Sequence, residues 1–386
     1  MSDYSDYSDY SSPKNCVRPR LPPILILGSS IGIKNGSSEF ASSLENCVSH
    51  EFLEMADLGS PIHQQITCQR TLGRGSYGSV EEITINVVRT SVGEIKVGPA
   101  FYLSHVLSGL IDQFVDHKET YAMKTVRKPP GGNFQLEKVL KEPMVHRKIS
   151  ISSNNVPKFY KMVESDSKHA SWAVEMCDSD LNKLIPDGGY KQLAHSLEDN
   201  DKIAEAKETW DLVKNFGKQI AQSLADIHKY GDGAHLDIKP ANIMVKMPVA
   251  VGDKPRLLIS DFSMETFTEF DEEKLVMPNQ FTVSYGSPEM IKSSSGQFKE
   301  DDSMRKDGRI RGDLADTWMM GATMIHILTG QCPFHGQGQA LIMMALLHGN
   351  IPIIPQDIPM DIRKFIEECF KPVSERKTAT ELIHFF

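Results

Sequence analysis

The chain has 386 residues, 40% apolar and 24% charged, with a formal net charge of −9. At about 100–200 residues per domain it can form two or three lobes with ample cores, and it cannot be a collagen, a wholly disordered chain or a disulfide miniprotein. The acidic balance argues against a broad nucleic-acid surface. No apolar run reaches the ~18 residues of a membrane span, and the stretch Ile24–Ile33 is broken by Gly28, Ser29, Ser30 and Gly32.

Residues 1–65 open with a threefold Ser-Asp-Tyr repeat and are then dominated by Ser, Asn, Gly and Pro. Such a composition buries too little apolar area to offset backbone entropy, so a disordered tail is expected. Its repeat reads as solvated chain or as a segment for phosphorylation. From Ile66 the pattern becomes compact. Alternation predicts strands within Ile66–Arg89 around a glycine cluster, then at Thr120–Val126, Lys158–Val163 and Ser171–Met176, with a helix over Phe134–Ile149. Farther on the signal is helical. Leu212, Val213, Phe216, Ile220 and Leu224 give near-helical spacing within Lys207–His228, followed by Leu314–Leu328 and Met360–Phe370. A small strand-rich lobe followed by a larger helical one implies an α+β chain with two lobes. Cys16, Cys47, Cys68, Cys177, Cys332 and Cys369 form no C-x-x-C pair, which points to reduced thiols in a cytoplasmic or nuclear protein.

The glycine cluster is Leu72-Gly73-Arg74-Gly75-Ser76-Tyr77-Gly78-Ser79-Val80. Without a Cβ, its backbone N–H groups can approach a polyphosphate closely. In a dinucleotide-binding fold a helix would follow such a loop. Here the sequel Val80–Val88 is β-branched and alternating, so the loop reads as a hairpin tip.

Downstream come Ala122-Met123-Lys124, then His235-Leu236-Asp237-Ile238-Lys239-Pro240-Ala241-Asn242, then Asp261-Phe262, then Ser287-Pro288-Glu289. In this order, over 66–386, these motifs resemble the eukaryotic protein kinases, of serine/threonine type from Asp-Ile-Lys-Pro-Ala-Asn. One such motif arises easily by chance; an ordered set does not. The resemblance implies a bilobal fold: a small antiparallel sheet with one helix over 66–176, and a mainly helical lobe over 177–386.

It also implies ATP and Mg²⁺ as cofactors and a protein substrate with a Ser or Thr acceptor. Leu72 to Val80 and Ala122 would line the nucleotide site, and backbone groups of Glu175 and Met176, in the hinge Val174–Cys177, would bind adenine. Lys124 would hold the α/β-phosphates, Asp237 would orient the attacking hydroxyl, Lys239 would neutralise the transferring phosphoryl group, and Asn242 and Asp261 would ligate the metal. The helix carboxylate facing Lys124 is Glu142 or Glu137, with Glu142 preferred because it lies nearer the turn Asn155-Val156-Pro157. Pro143 raises the prospect of a helix that starts late. Asp180 would reach the ribose or cap a helix, and Cys177 reads as a small apolar residue. Asp316, in Ala315-Asp316-Thr317-Trp318, resembles the aspartate that braces the catalytic-loop backbone, and Arg376 the arginine that pairs with Glu289. The segment 321–334 resembles the MAP kinase kinase kinase group, with the Cot branch nearest because arginine is missing before Asp237.

Leu236 stands where many kinases carry an arginine that binds a phosphate on the activation segment, and Ser263 stands where the glycine of D-F-G would be. Thr266, Thr268, Thr282 and Ser284 are the candidate acceptors, Thr282 resembling the substrate-docking threonine. The segment is acidic, with Glu265, Glu269, Asp271, Glu272 and Glu273 against Lys274. Activity independent of activation-segment phosphorylation is therefore expected. Two insertions, 81–123 with a short helix over Phe101–Phe114 and a solvated loop over Lys299–Arg311, offer places for a regulatory protein partner. No nucleic-acid partner and no membrane span are expected.

Overall fold

The computed structural model describes residues 67–74, 78–90, 93–97, 117–127, 133–165, 169–250, 252–263, 267–296 and 303–386. The tail, the centre of the glycine cluster and the Phe101–Phe114 stretch lie outside them. The chain divides into two compact units; of the described residues, one holds those within 68–84 and 120–386, and the other holds 67, 85–90, 93–97 and 117–119.

β1 (Thr67–Arg74) and β2 (Gly78–Thr90) flank the glycine cluster. They are followed by β3 (Gly93–Val97), β4 (His117–Arg127), β5 (Phe159–Ser165) and β6 (His169–Glu175). The sheet order is β1-β2-β4-β6-β5, with β3 on β2 in the register Asn86↔Val97 to Thr90↔Gly93. A strand therefore follows the glycine cluster, as its β-branched residues dictate. β4 and β6 are antiparallel with Ala122 opposite Val174 and Lys124 opposite Trp172. One face of this sheet packs a small core of Leu140, Ala170 and Trp172 with Val126, Phe159, Met162 and Val174 around it.

α1 (Asn133–Ser152) lies between β4 and β5 and brings Leu140, Val145 and Ile149 to the interior. Pro143 sits in the middle of this helix rather than in its first turn. The late start is thus corrected. Ten residues of helix precede the proline, and tertiary packing absorbs a defect that costs ~3 kcal/mol in an isolated helix.

The larger part begins with β7 (Ser179–Asp180), α2 (Leu181–Leu184) and α3 (Gly189–Glu198), followed by α4 (Ile203–Asp226). α4 buries Trp210, Val213, Phe216, Ile220 and Leu224 as one stripe, each large side chain worth about 1.5–3 kcal/mol. Leu212 falls beside the stripe and is only partly buried, so the sequence reading of that face is corrected by one position. The helix ends in a π turn, Ile227–Gly231.

Next come β8 (Gly233–Ala234), a 3₁₀ turn over Pro240–Asn242, β9 (Ile243–Lys246) and β10 (Arg256–Ile259), in a sheet of order β10-β9-β7. β11 (Thr268–Glu269) pairs with β8, and β12 (Leu275–Val276) with β13 (Ile310–Arg311). α5 (Pro288–Ser294), α6 (Gly312–Thr329), α7 (Gln339–Leu347), α8 (Met360–Cys369) and α9 (Ala379–Leu382) complete the chain. α6 is buried nearly all round, and Gly330 ends it at φ +71. A Cβ there would meet the Gly189 nitrogen at 2.8 Å, so both the turn and the approach of α3 demand glycine. No helix among the described residues is long and apolar enough to cross a membrane.

The expected solvated loop at Lys299–Arg311 is corrected in part: the described residues 303–311 end in the two-residue strand β13, and the half-exposed Arg305 and Arg309 before it are ion-paired rather than free in solvent. Charge alone could not distinguish a solvated run from one whose partners lie 30 to 40 residues away.

Candidate active site

Lys124 projects from β4 toward α1, where Glu142 meets its Nζ at 2.5 Å, and Asp261 Oδ1 lies 2.7 Å from the same nitrogen. Burial disfavours the ammonium, but Glu142 and Asp261 outweigh it and hold the lysine above its usual pKa. Burial likewise opposes the Asp261 charge, and Lys124 overcomes it to hold that carboxyl below its usual range. The helix carboxylate is therefore Glu142. Four residues on, on the same helix face, the Nε2–H of His146 donates to the Pro157 carbonyl at 2.6 Å. Burial lowers its pKa to about 4, so the ring is neutral. The Phe262 ring packs between those of His146, at 5.2 Å, and His235, at 5.6 Å. His146 escaped the sequence reading, although its i+4 spacing from Glu142 was a usable signal.

The catalytic-loop segment is braced from below. Asp316, fully buried in α6, accepts from the backbone N–H groups of His235 at 2.8 Å and Leu236 at 2.7 Å. The π turn aims His228 at the same carboxylate, 2.8 Å from Nε2. Leu236 has φ +60 and its side chain is fully buried. A bulky residue held in that region stores roughly 1–3 kcal/mol of strain, sustained here by the aspartate bonds. Asp261 shares the left-handed conformation at φ +72, which an aspartate tolerates better.

Asp237 Oδ1 accepts from the Thr282 hydroxyl at 2.7 Å and from its N–H at 3.1 Å. Lys239 Nζ sits 2.8 Å from Asp237 Oδ2 and 2.8 Å from Thr282 Oγ1. Asn242 Nδ2 donates to Asp237 Oδ2 at 2.9 Å and to its carbonyl at 2.8 Å. Burial raises the Asp237 pKa, but Lys239 and the Thr282 bond reverse this and keep the carboxylate ionised. Asn242 precedes β9 and Asp261 follows β10. The antiparallel register Ile243↔Ile259 places them at one end of that ladder. Their side chains offer hard oxygen donors suited to Mg²⁺. Among the described residues no group of three or more His, Cys, Asp or Glu could hold a metal, and Mg²⁺ is usually held by one or two carboxylates with substrate phosphates.

The rim expected to hold a nucleotide is less fully described. Leu72 lies near the end of β1, with Gly73 and Arg74 after it, and Gly78, Ser79 and Val80 open β2. Gly75, Ser76 and Tyr77 lie outside the described residues. Ala122 is buried on β4 beside Val174. The hinge residues Glu175 and Met176 are gripped by Lys246, whose Nζ reaches Glu175 Oε1 and the Met176 carbonyl, each at 3.1 Å. No local pattern marked Lys246, because the contact spans 70 residues. Burial pushes the Cys177 thiol up to about 12, which fits an inert packed residue. Asp180 caps α2 by accepting from the Lys183 N–H at 3.2 Å.

Around the segment that follows, Glu289 and Arg376 form a buried ion pair at 2.5 Å, and the guanidinium stacks on Trp318 and donates to the Leu314 carbonyl. Tyr285 shares a 2.6 Å hydrogen bond with His326 Nδ1. The protein kinase domain family matches residues 108–385. This chain belongs to that family. The kinase domain is 29% identical over 177 residues to Mitogen-activated protein kinase kinase kinase 3 of Arabidopsis thaliana, covering 46% of this chain and 28% of that protein. It is 30% identical over 174 residues to Mitogen-activated protein kinase kinase kinase 1 of the same plant, covering 45% and 25%. It is 27% identical over 232 residues to Serine/threonine-protein kinase ppk34 of Schizosaccharomyces pombe, covering 60% and 55%. The chain thus spans from about a quarter to just over half the length of these relatives.

Proposed function

We propose that this kinase domain is an active serine/threonine protein kinase that uses ATP and Mg²⁺. The observation that carries this is the convergence of Lys239, Thr282 and Asn242 on the Asp237 carboxylate, beside an intact Lys124–Glu142–Asp261 cluster. Asp237, ionised, accepts a hydrogen bond from the substrate hydroxyl and points its oxygen at the γ-phosphorus. A bond forms from that oxygen to phosphorus, the bond from phosphorus to the ADP oxygen breaks, and the hydroxyl proton leaves toward Asp237. Lys239 offsets charge on the transferring group, and Lys124, fixed by Glu142, holds the α/β-phosphates. Bound at Asn242 and Asp261, Mg²⁺ would neutralise phosphate charge. The glycine cluster covers the phosphates, Ala122 lines the adenine site, and backbone groups of Glu175 and Met176 read the adenine edge.

The kinase domain occupies 66–386 in this reading, with a regulatory protein partner on an insertion and a cytoplasmic or nuclear location. The serine/threonine kinase names of the relatives and the reduced thiols of Cys177, Cys332 and Cys369 support it. A pseudokinase scaffold would not need all four of Lys124, Asp237, Asn242 and Asp261. The test is transfer of label from γ-labelled ATP to a degenerate Ser/Thr/Tyr peptide library, with Asp237→Asn alongside. Label confined to Ser and Thr and lost in the variant supports the reading; none from the wild type sinks it.

A further inference from the structure

The sequence replaces the phosphate-binding arginine with Leu236, and the structure buries that leucine completely. No cation at this position is available to a phosphate. Three acidic residues of the activation segment nevertheless have partners. Glu269, on β11, reaches Lys141 on α1 at 3.3 Å. Lys141 is the immediate neighbour of Glu142, and Glu269 lies opposite Gly233 in β8, two residues before His235. One ion pair therefore joins the helix that holds Glu142 to β11, which pairs with the strand that leads into the catalytic loop.

Two residues on, Asp271 closes its own turn by accepting from the N–H groups of Glu273 at 3.0 Å and Leu275 at 2.8 Å, while its other oxygen takes Arg309. Glu273 takes Arg305. Both arginines belong to the stretch that ends in β13, where Leu275↔Arg311 and Val276↔Ile310 pair with the segment. Glu269, Asp271 and Glu273 thus alternate along the chain, and each meets a cation, the first from α1 and the other two from the 303–311 stretch.

We propose that this acidic ladder does the work a phosphate does elsewhere. It ties the activation segment to α1 and to the 303–311 stretch, so Lys141 and Glu269 are positioning residues for Glu142, and the segment needs no phosphorylation to hold its working shape. The inference rests on the kinase reading above. Thr282 is unsuited to be a switch, because its hydroxyl is already committed to the site, donating to Asp237 Oδ1 at 2.7 Å and accepting from Lys239 Nζ at 2.8 Å. Each pair is partly exposed, so the ladder acts as a sum of modest contributions and weakens with salt.

The test uses the full chain. One arm follows amide hydrogen exchange over residues 268–277 before and after phosphatase treatment. Protection that survives phosphatase in the wild type and falls in Lys141→Met and Arg309→Met is the expected result. The second arm measures initial rates. Lys141→Met and Glu269→Gln are expected to lower kcat about three- to fivefold, the range of one exposed ion pair, with peptide KM and Tm near wild type. The charge-swapped Lys141→Glu/Glu269→Lys protein is expected to regain most of that loss. Activity that disappears with dephosphorylation of a segment site, a swap that restores nothing, or unaltered exchange in both variants overturns the proposal. If the wild type transfers no phosphate at all, the kinase reading fails, and the exchange arm still decides the ladder.

Discussion

The brace under the catalytic loop and the ladder along the activation segment both rely on carboxylates, but in opposite surroundings. Asp316 is fully buried and accepts from two backbone N–H groups while a histidine sits on one of its oxygens. The Glu269 and Glu273 side chains are about 60% exposed and meet lysine or arginine at the surface. A buried carboxylate held by three hydrogen bonds is expensive to disturb, because losing one partner strands the other out of water. An exposed pair can be lost one at a time at little cost. The kinase domain therefore has a rigid floor for the chemistry and an adjustable cover for its entrance.

Five measurements test this contrast, in order of decreasing effect. Asp237→Asn removes the group proposed to orient the hydroxyl and should lower transfer by about 10²–10⁴-fold, with nucleotide affinity nearly unchanged in a calorimetric titration. Asp261→Asn removes a charged oxygen donor from the proposed metal site. Weaker Mg·ATP binding and slower turnover together are expected from a Mg²⁺ titration, and an unchanged titration would make Asp261 a purely structural residue.

Stability separates floor from cover directly. Arg376→Ala leaves Glu289 buried without its cation and should cost about 3–5 kcal/mol, a fall in Tm on the order of 10 °C. The buried, neutral His146 gives a pH signature. Its folded pKa of about 4 lies below the unfolded value near 6.5, so the unfolded chain binds the proton first. Its stabilising effect is complete above pH 6.5 and is lost as pH falls toward 4, by about 3 kcal/mol in all. His146→Leu should flatten that acid limb in thermal melts, and an unaltered limb would place the loss elsewhere. Smallest is the cover: Lys141→Met should change global stability by less than about 1 kcal/mol, and a fall as large as that of Arg376→Ala would erase the contrast.

Much of the framework was legible along the chain. The β-branched sequel to the glycine cluster announced β2, and the stripe from Val213 to Leu224 announced α4, because period-2 and period-3.6 burial leave a local imprint. Candidate residues from Lys124 to Arg376 stood out by motif. The choice between Glu142 and Glu137 did not, since both sit above apolar residues at helical spacing. Pro143 pointed toward a shorter helix than the one that forms, because propensity is a weak prior against packing from both sides.

What the sequence determined by itself is the order of chemical groups and the family they compose: the Lys124 cation, the Asp237 carboxylate, the oxygen donors Asn242 and Asp261, and an acidic segment with no arginine beside Asp237. What only the tertiary structure decided is which charges meet. Glu142 reaches Lys124 across 18 residues, Lys246 grips the hinge across 70, and Lys141 finds Glu269 across more than a hundred. Local periodicity records which face of an element is buried, because that depends on neighbours three or four residues away. Pairing between distant side chains depends on how whole elements stack, and a charge run in solvent and a charge run in a ladder are spelled with the same letters.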